Sequence, residues 1–541
     1  MTAWSKQPIG NCAAAFLCIA TLASGAGTRI VRADAPTHVE ADTTPLWRFT
    51  TTSDITFFQL VSVDPPRLVV ATKDALHFVD ATTGKALWSR DDLRKVPALH
   101  FDVMDAGSAD PIRLVRGIAL ADDVMHIFDL ETGAKLAESG NWSVKSVCCY
   151  LPVYQQGLVL VFANSARGNN ALLGVELQSG TVRWRREDVF RAQPEMQQVQ
   201  IGTFGLGVPL YIATLFGNQP PLQMDSANLL LYLSKDGPFD INPATGKTVW
   251  SGDVLKKKEV PGIAAGYAPI LVEQGVAYVP SKHTLVALNA SNGTPLWPNA
   301  PQLPGQIVQM EWTARGLLVA GAKPDGYGQL TRDPFLALLN PATGRFRWPA
   351  RVTDLKDPSC LTVQGDTAYV AVNKKLVAID LASGSVRDIA TVTFEGREQP
   401  ERVEVRPDGI LLISAHNLLL LGADGSPKYR RYYPAPGVGF LAAFGSALLN
   451  KPISLPVTVW DRDFVYIFTT APDDSAHQGV SLVRVNKADG AEAGRIWLTE
   501  KSFDYQTDPA TDMVYLKQGS RAIVALRFDV GTSAPAQAPD R

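Results

Sequence analysis

The chain has 541 residues, of which 46% are hydrophobic and 19% are charged, and this balance excludes a disordered protein. Its formal net charge is −2, so it lacks the basic field that nucleic-acid-binding proteins use to attract phosphates. We therefore expect a folded protein with no nucleic-acid partner.

The first 35 residues predict an export signal. Lys6 supplies a positive charge, and the apolar stretch from Cys12 to Ala23 is too short to span a bilayer. Small residues spaced for cleavage follow, the last of them at Ala33 and Ala35. We interpret residues 1–35 as a signal peptide, with a retained anchor as the alternative, and we predict a periplasmic or secreted protein.

Three cysteines remain after the signal, Cys148, Cys149 and Cys360. An odd number is not typical of a regular disulfide framework. The hydrophobic core must therefore supply the stability of the fold.

A repeated unit occupies most of the chain after the signal. Each unit has an apolar strand, a short turn, a second strand ending near Asp or Asn, a turn closing on glycine, and a strand that often carries tryptophan. Residues 68–88 (LVVATKDALHFVDATTGKALW) show this order, and residues 276–297 (VAYVPSKHTLVALNASNGTPLW) repeat it. The turn glycines are Gly84, Gly133, Gly180, Gly246, Gly293, Gly344, Gly384, Gly425 and Gly490. A period of about 40 to 50 residues, with two longer intervals, is typical of one four-stranded propeller blade per repeat.

The chemistry of the turn explains its residues. The opening Asp or Asn can bond its own backbone two residues on, and glycine adopts positive φ at little cost. The tryptophan that follows can cover apolar surface between blades while its N–H reaches a carbonyl. We expect this role, and a largely buried indole, for Trp88, Trp250, Trp297 and Trp348.

The two ends of the chain carry complementary half-repeats. Residues 513–529 (MVYLKQGSRAIVALRFD) form a strand pair with no following Trp strand, and residues 45–50 (PLWRFT) form a Trp strand with no preceding pair. Joined, they complete one blade and remove the exposed sheet edges. We predict an all-β fold over residues 36–530, a closed β-propeller of eight to ten four-stranded blades.

Four segments carry the turn motif most clearly: DATTGKALW, NPATGKTVW, NASNGTPLW and NPATGRFRW. They resemble the quinoprotein (pyrroloquinoline quinone-like) repeat, whose pattern is A-x-D-x-x-T-G-x-x-x-W. The resemblance covers nearly all of residues 45–530 and implies a β-propeller. It leaves function open, because one fold carries many sites.

Two branches of this family give two hypotheses. One branch is the quinone-dependent dehydrogenases, and the resemblance implies that Cys148 and Cys149 would then form a disulfide over a quinone held beside calcium. Calcium needs hard oxygen ligands and the reaction needs a carboxylate base, and we cannot place either in this sequence. The other branch comprises cofactor-free propellers that hold partner proteins. An apolar strand containing two packed cysteine side chains fits that branch equally well.

One segment departs from the repeat and offers a binding surface. Residues 430–456 are apolar and rich in Gly and Ala at their centre, 438–449, which predicts a short helical insertion. The insertion either packs on the propeller or contacts a partner or a membrane surface. The partner-binding candidates are Phe440, Leu441, Phe444 and Leu448. Residues 531–541 read as a disordered tail.

We therefore predict an exported propeller that binds or scaffolds a protein or peptide partner in the cell envelope, without catalytic residues, cofactor or metal. The alternative is a dehydrogenase that uses pyrroloquinoline quinone and calcium through a divergent site.

Overall fold

The computed structural model describes residues 44–528, apart from 64, 97–100, 106–114, 154–155, 167–169, 189–221, 225–227, 234–236, 253–269, 282, 325–329, 354, 356–357, 373, 435–462, 471–479, 499–503 and 509–510. All of these residues belong to the unit His38–Arg541. They form antiparallel sheets, and the helices among them are short 3₁₀ turns at Asp91–Leu93, Ser139–Trp142 and Glu395–Arg397. In this part of the chain no helix reaches the length and apolarity that crossing a membrane requires.

The first half of the chain contains four sheets, each made of four consecutive strands. Sheet 1 consists of β2 (Ile55–Val63), β3 (Pro66–Thr72), β4 (Leu76–Asp80) and β5 (Ala86–Arg90). Sheet 2 consists of β6 (Phe101–Asp105), β7 (Val115–Ala121), β8 (Val124–Asp129) and β9 (Lys135–Glu138). Sheet 3 consists of β10 (Val144–Val153), β11 (Leu158–Ser165), β12 (Asn170–Glu176) and β13 (Val182–Arg186). Sheet 4 consists of β14 (Leu222–Met224), β15 (Asn228–Leu233), β16 (Gly237–Ile241) and β17 (Thr248–Ser251).

The second half contains five sheets of three or four consecutive strands. Sheet 5 consists of β18 (Leu271–Glu273), β19 (Val276–Ser281) and β20 (Thr284–Asn289). Sheet 6 consists of β21 (Gln306–Thr313), β22 (Gly316–Pro324) and β23 (Leu330–Leu339). Sheet 7 consists of β24 (Pro358–Gln364), β25 (Thr367–Val372), β26 (Lys375–Asp380) and β27 (Val386–Thr391). Sheet 8 consists of β28 (Arg402–Arg406), β29 (Gly409–Ile413), β30 (Asn417–Leu421) and β31 (Pro427–Tyr432). Sheet 9 consists of β32 (Phe464–Thr470), β33 (Val480–Asn486) and β34 (Glu492–Leu498).

A tenth sheet, the terminal sheet, joins the two ends of the described chain. It consists of β35 (Tyr505–Asp508), β36 (Met513–Gln518), β37 (Ala522–Arg527) and, next to β37, β1 (Trp47–Thr50). Trp47 lies opposite Ala525, and the pairing is antiparallel. The prediction that the half-repeats at the two ends share one sheet is therefore confirmed.

The glycine turns connect the last two strands of each repeat as the sequence predicts. All nine turn glycines have φ between +69° and +81°. In the first turn, the carboxylate of Asp80 accepts hydrogen bonds from the backbone N–H groups of Thr82 and Thr83, and Gly84 N–H donates to Asp80 O. The Asp side chain thus satisfies backbone donors that the tight turn leaves without a strand partner.

Sheets 5 and 6 lack a regular fourth strand, which corrects the expectation of four strands in every sheet. After the glycine turn, the chain pairs with the preceding strand only through two isolated bridges. In sheet 6 these bridges join Leu339 to Phe346 and Leu336 to Val352. In both sheets proline directly follows the tryptophan, at Pro298 and Pro349. Because proline cannot donate to a strand ladder, the chain bows away from the sheet between its two bridges. Among the described residues, sheet 9 also contains only three strands.

At most junctions a docking residue joins neighbouring sheets, and in most sheets it lies four positions after the turn glycine. Trp297 of sheet 5 donates from Nε1 to Pro341 O at 2.9 Å in the turn of sheet 6. Equivalent bonds, each to the carbonyl three residues before the next turn glycine, come from Trp47, Trp88, Trp184, Trp250, Trp348 and the hydroxyl of Tyr429.

Burial of these tryptophans follows the prediction at three positions. Trp250, Trp297 and Trp348 are 7%, 5% and 4% exposed, whereas Trp88 is only half-buried. Trp88 stacks on Phe78 and contacts Phe128 edge-on. Its indole therefore still lies between sheets 1 and 2, although it is partly exposed to solvent.

An arginine two positions after the docking residue forms a second link between sheets. Arg90, Arg186 and Arg431 donate to the carbonyl of the next turn glycine, at 3.3, 3.0 and 2.7 Å. An indole or phenol and a guanidinium thus bind the same turn at two carbonyls. This second donor is a feature that the sequence analysis missed.

The apolar core is divided among the junctions between sheets. One cluster joins Tyr278 and Leu285 of sheet 5 to Leu317 and Phe335 of sheet 6. Another joins the terminal sheet to sheet 1, and a third joins it to sheet 9. The terminal sheet therefore packs against both the first and the ninth sheet of the chain.

Candidate functional site

The site residues predicted from sequence lie largely beyond what the structure describes. Phe440, Leu441, Phe444 and Leu448, with the predicted helical insertion, fall within 435–462, outside the described residues. Cys148 and Cys149 lie in β10, where the pairing with β11 shifts register between Val147 and Cys149, but their side chains are not described. The predicted partner-binding surface therefore stays a prediction. The choice between packed cysteines and the disulfide that the dehydrogenase alternative implies stays open too.

A polar cluster at one end of sheet 8 is the candidate site within the described residues. We call this end the loop end, because the turn between β29 and β30 lies there and so do the connections that enter β28 and leave β31. In an antiparallel sheet these connections must emerge on the side opposite the glycine turn. The cluster consists of Glu398, Ser414, His416 and Asn417, and we call it the loop-end cluster.

Local geometry brings Glu398 to the turn between β29 and β30. The chain leaves sheet 7 through Glu395–Arg397, where Gly396 has φ +69°, and reaches β28 at Arg402. Glycine permits this reversal at little cost. The reversal places Glu398 beside a turn that follows it by 16 to 19 residues.

The carboxylate of Glu398 accepts four hydrogen bonds from that turn. One oxygen binds Nδ1 of His416 at 2.5 Å. The other accepts bonds from the hydroxyl of Ser414 at 2.5 Å, the backbone N–H of His416 at 3.1 Å and Nδ2 of Asn417 at 2.9 Å. A carboxylate with this many donors is held in one position and holds the turn with it.

Asn417 anchors the cluster to the connection from sheet 7. Its side chain is fully buried. Its Oδ1 accepts a bond from Glu395 N–H at 2.9 Å, and its Nδ2 donates to Glu395 O at 3.2 Å. The amide therefore satisfies both backbone groups of a residue in an irregular segment, as a buried polar side chain should.

The charge of the cluster is fixed by these bonds. Burial acts to raise the pKa of Glu398, but hydrogen bonds from His416, Ser414 and Asn417 outweigh burial and lower the pKa to about 2. The carboxylate is therefore ionised at neutral pH. Because an ionised carboxylate only accepts, Nδ1 of His416 is the donor in their hydrogen bond.

An exposed tyrosine lies beside the cluster. Tyr432, at the end of β31, pairs with Asn417 and is 40% exposed. Burial and the negative charges of Glu398 and Glu395 raise the pKa of Tyr432. A phenol next to ionised carboxylates offers an apolar ring and a hydrogen-bond donor, the combination typical of protein interfaces.

Few features of the sequence predict this cluster. None of the seven histidines lies at a metal-ligand spacing from another histidine. Glu398 precedes His416 by 18 residues, and no recognised motif links the two. A similar turn occurs in sheet 5, where Ser281 and His283 take the same spacing as Ser414 and His416. Comparing the β-hairpin turns of different repeats could have identified Ser414 and His416 from this shared spacing.

The dehydrogenase alternative requires a calcium ion held by oxygen ligands. Across the described ranges, no three His, Cys, Asp or Glu side chains lie close enough together to hold a metal ion. The oxygens of Glu398 are already bound to donors, which is the opposite of what a cation needs. The chemistry of the loop-end cluster is hydrogen bonding and charge recognition.

The chain was compared with curated proteins, with solved structures and with family models. A comparison with curated proteins finds no match. Among solved structures, the chain is similar to BamB from Moraxella catarrhalis, with 14% identity, TM-score 0.34, and coverage of 71% of this chain and 97% of that one. It is also similar to a structure titled the eukaryotic initiation factor, with 12% identity, TM-score 0.40, and coverage of 83% and 97%. A third is Sqt1 from Saccharomyces cerevisiae, with 11% identity, TM-score 0.33, and coverage of 73% and 100%.

One family model matches the chain itself. Residues 239–430 match the family described as outer membrane protein assembly factor BamB. This range begins in β16 and ends in β31, and it includes three of the four segments with the clearest turn motif. This match agrees with the resemblance of the turn segments to the quinoprotein-like repeat.

Proposed function

We propose that this protein is an exported, cofactor-free β-propeller that binds a protein or peptide partner in the cell envelope through the loop end of its sheets. The match of residues 239–430 to the family of outer membrane protein assembly factor BamB supports this function most directly. The same match, with the export signal predicted from sequence, supports a periplasmic location.

The proposed architecture is a closed ring of ten blades. Nine successive junctions place a residue of one sheet against the turn glycine of the next, starting with Trp47 on Gly84 and ending with Tyr429 on Gly490. At the tenth, Phe528 of the terminal sheet packs against Gly494 of sheet 9. A series of contacts that returns to its starting sheet is what a closed propeller requires.

The loop end is the proposed binding face because its side chains are built for recognition. The loop-end cluster fixes an ionised carboxylate and an imidazole, and Tyr432 lies exposed beside them. Fixed donors and acceptors next to an exposed aromatic ring lose little entropy when a partner binds. β13 and β31, which precede the two longer intervals of the sequence repeat, both end on the loop side of their sheets.

Site-specific photocrosslinking tests this proposal. A photoreactive phenylalanine replaces Tyr432 in the exported full-length chain, and a matched chain carries it at Thr83, which is exposed in a glycine turn at the opposite end of its sheet. We expect discrete envelope-protein adducts from position 432 only, and we expect Glu398→Gln and His416→Ala to reduce them. Adducts absent from position 432, or equal at both positions, would contradict the proposal.

Titration of the protein with pyrroloquinoline quinone and calcium tests the alternative function. We expect no stoichiometric change in quinone absorbance and no dye reduction with alcohols. Binding at one quinone per chain that Cys148→Ser abolishes would place the protein among the dehydrogenases.

A further inference from the structure

The junction between sheet 9 and the terminal sheet differs from the other junctions of the proposed ring. Sheet 9 has glycine, Gly494, at the position where most other sheets carry a docking side chain. At this junction the later sheet supplies the side chain instead of the earlier one. Phe528 of the terminal sheet packs where a side chain on Gly494 would lie. In the described part of this junction, the docking position therefore carries no indole or phenol.

A buried cation bridges this junction. Arg484 of β33 is 2% exposed, and its guanidinium lies over the rings of Phe464 and Phe528, 4.6 and 4.9 Å from their centroids. Its carboxylate partner is Asp512, in the turn before β36, whose side chain is 34% exposed. One partner of the pair is thus sealed between the sheets while the other reaches solvent.

The stability of this junction depends on both members of the ion pair. Removing one member of a buried ion pair leaves an uncompensated charge inside the protein, whereas removing both together is close to neutral. The ion pair Arg315–Asp366, between the turns of sheets 6 and 7, is different, because its side chains are 48% and 46% exposed. Pairs exposed to that degree contribute little.

We infer that the ring opens at the junction between sheet 9 and the terminal sheet, and that the buried pair Arg484–Asp512 acts as the latch. Opening there separates β32–β34 from β35–β37 and β1, the strands that hold the two ends of the chain together. The inference rests on the ring closure proposed above.

An engineered disulfide tests closure and opening separately. A Cβ placed on Gly494 would lie 3.5 Å from Cβ of Phe528, within the range that disulfides occupy. We expect the full-length Gly494→Cys/Phe528→Cys variant to oxidise quantitatively, and failure to form the bond would contradict the closed ring itself. If the bond forms, oxidation should slow amide hydrogen exchange in β34 to β37 relative to the reduced form of the same variant. Equal exchange in both forms would overturn the opening while leaving the ring intact.

Hydrogen exchange of charge variants tests the latch. In Asp512→Asn, we expect exchange in β32–β37 and β1 to accelerate about a hundredfold, with sheets 3 to 6 unchanged. Asp366→Asn is the matched control and should leave exchange in sheets 6 and 7 as in wild type. Adding Arg484→Met to Asp512→Asn should restore most of the protection.

Three outcomes would overturn the latch: uniform acceleration in all sheets, unchanged exchange in Asp512→Asn, or no rescue by Arg484→Met. If Asp512→Asn does not fold, the wild-type protein still provides the test. Its least protected junction must then be the one between sheet 9 and the terminal sheet, and not that between sheets 7 and 8, where Ile389 replaces tryptophan against Gly425.

Discussion

The indole of Trp297 occupies the space that a side chain on Gly344 would need. A Cβ built on Gly344 would lie 2.7 Å from Cδ2 of Trp297, and the φ of Gly344 is +71°. Two independent constraints therefore require glycine at this turn, the backbone conformation and the ring docked from the neighbouring sheet. The same relationship holds for Gly133 with Trp88, Gly246 with Trp184 and Gly293 with Trp250.

Gly344→Ala should separate these constraints when compared with Gly275→Ala. Gly275 has nearly the same φ, +75°, but nothing lies within 4 Å of the position of its Cβ. We expect Gly275→Ala to cost about 1 kcal/mol for the left-handed backbone and Gly344→Ala to cost about 1–3 kcal/mol more for overpacking. Urea denaturation measures both, and equal costs would contradict the docking role of Trp297.

Trp297→Phe and Trp297→Ala should divide the docking interaction into its polar and apolar parts. The Phe variant keeps most of the ring but loses the bond from Nε1 to Pro341 O, which should cost about 1 kcal/mol. The Ala variant also loses the buried ring and should cost about 3–5 kcal/mol. A thermal melt of Trp297→Ala that matches wild type would show that the junction does not depend on the indole.

Glu398→Gln should destabilise the protein in a pH-dependent way. The folded-state pKa of Glu398 is about 2, below its ordinary value of 4.5, so its contribution is present above pH 4.5 and disappears as pH falls from 4.5 towards 2. Its size at neutral pH is about 3 kcal/mol at most. Denaturation of both proteins between pH 7 and 3 measures the difference, which should shrink below pH 4.5. Glu395→Gln is the control, and a difference that is constant with pH would contradict the ionised cluster.

A circular permutant should test the pairing of the two ends. Because β1 lies beside β37, a short linker joining residues 45 and 528 should be tolerated, with new ends in the exposed turn at Gly365 and Asp366. We expect the permutant to melt within a few degrees of wild type, whereas deletion of residues 45–50 should lower the melting temperature strongly. If the permutant does not fold and the deletion variant is stable, the fold does not depend on β1.

Most of the fold could be predicted because its signals are local. Turn chemistry identified the nine turn glycines, all of which have positive φ, and the incomplete repeats at the two ends identified the terminal sheet. The missing fourth strands of sheets 5 and 6 could also have been predicted, since Pro298 and Pro349 stand directly after the tryptophans. Sequence alone did not show that the turn glycines also make room for a ring, because that constraint comes from another sheet.

The candidate site was harder to predict for the same reason. Glu398 and His416 meet through an irregular connection, and no spacing rule links a residue before one strand to a turn two strands later. The partner-binding residues Phe440 and Leu441 were chosen from an interruption of the repeat, and they stay a prediction. Local periodicity thus revealed the scaffold but not the residues that the scaffold brings together.

The pairing of β1 with β37 imposes an order of events on biosynthesis. Arg48 and Gln518, whose side chains bond across the terminal sheet, are 470 residues apart. The first strand to leave the ribosome must therefore wait until nearly the whole chain has followed before its partner exists. Throughout that delay its tryptophan and its open hydrogen-bonding edge are available to other strands, a hazard for any β-sheet protein. The terminal sheet is therefore the last of the described sheets that can be completed.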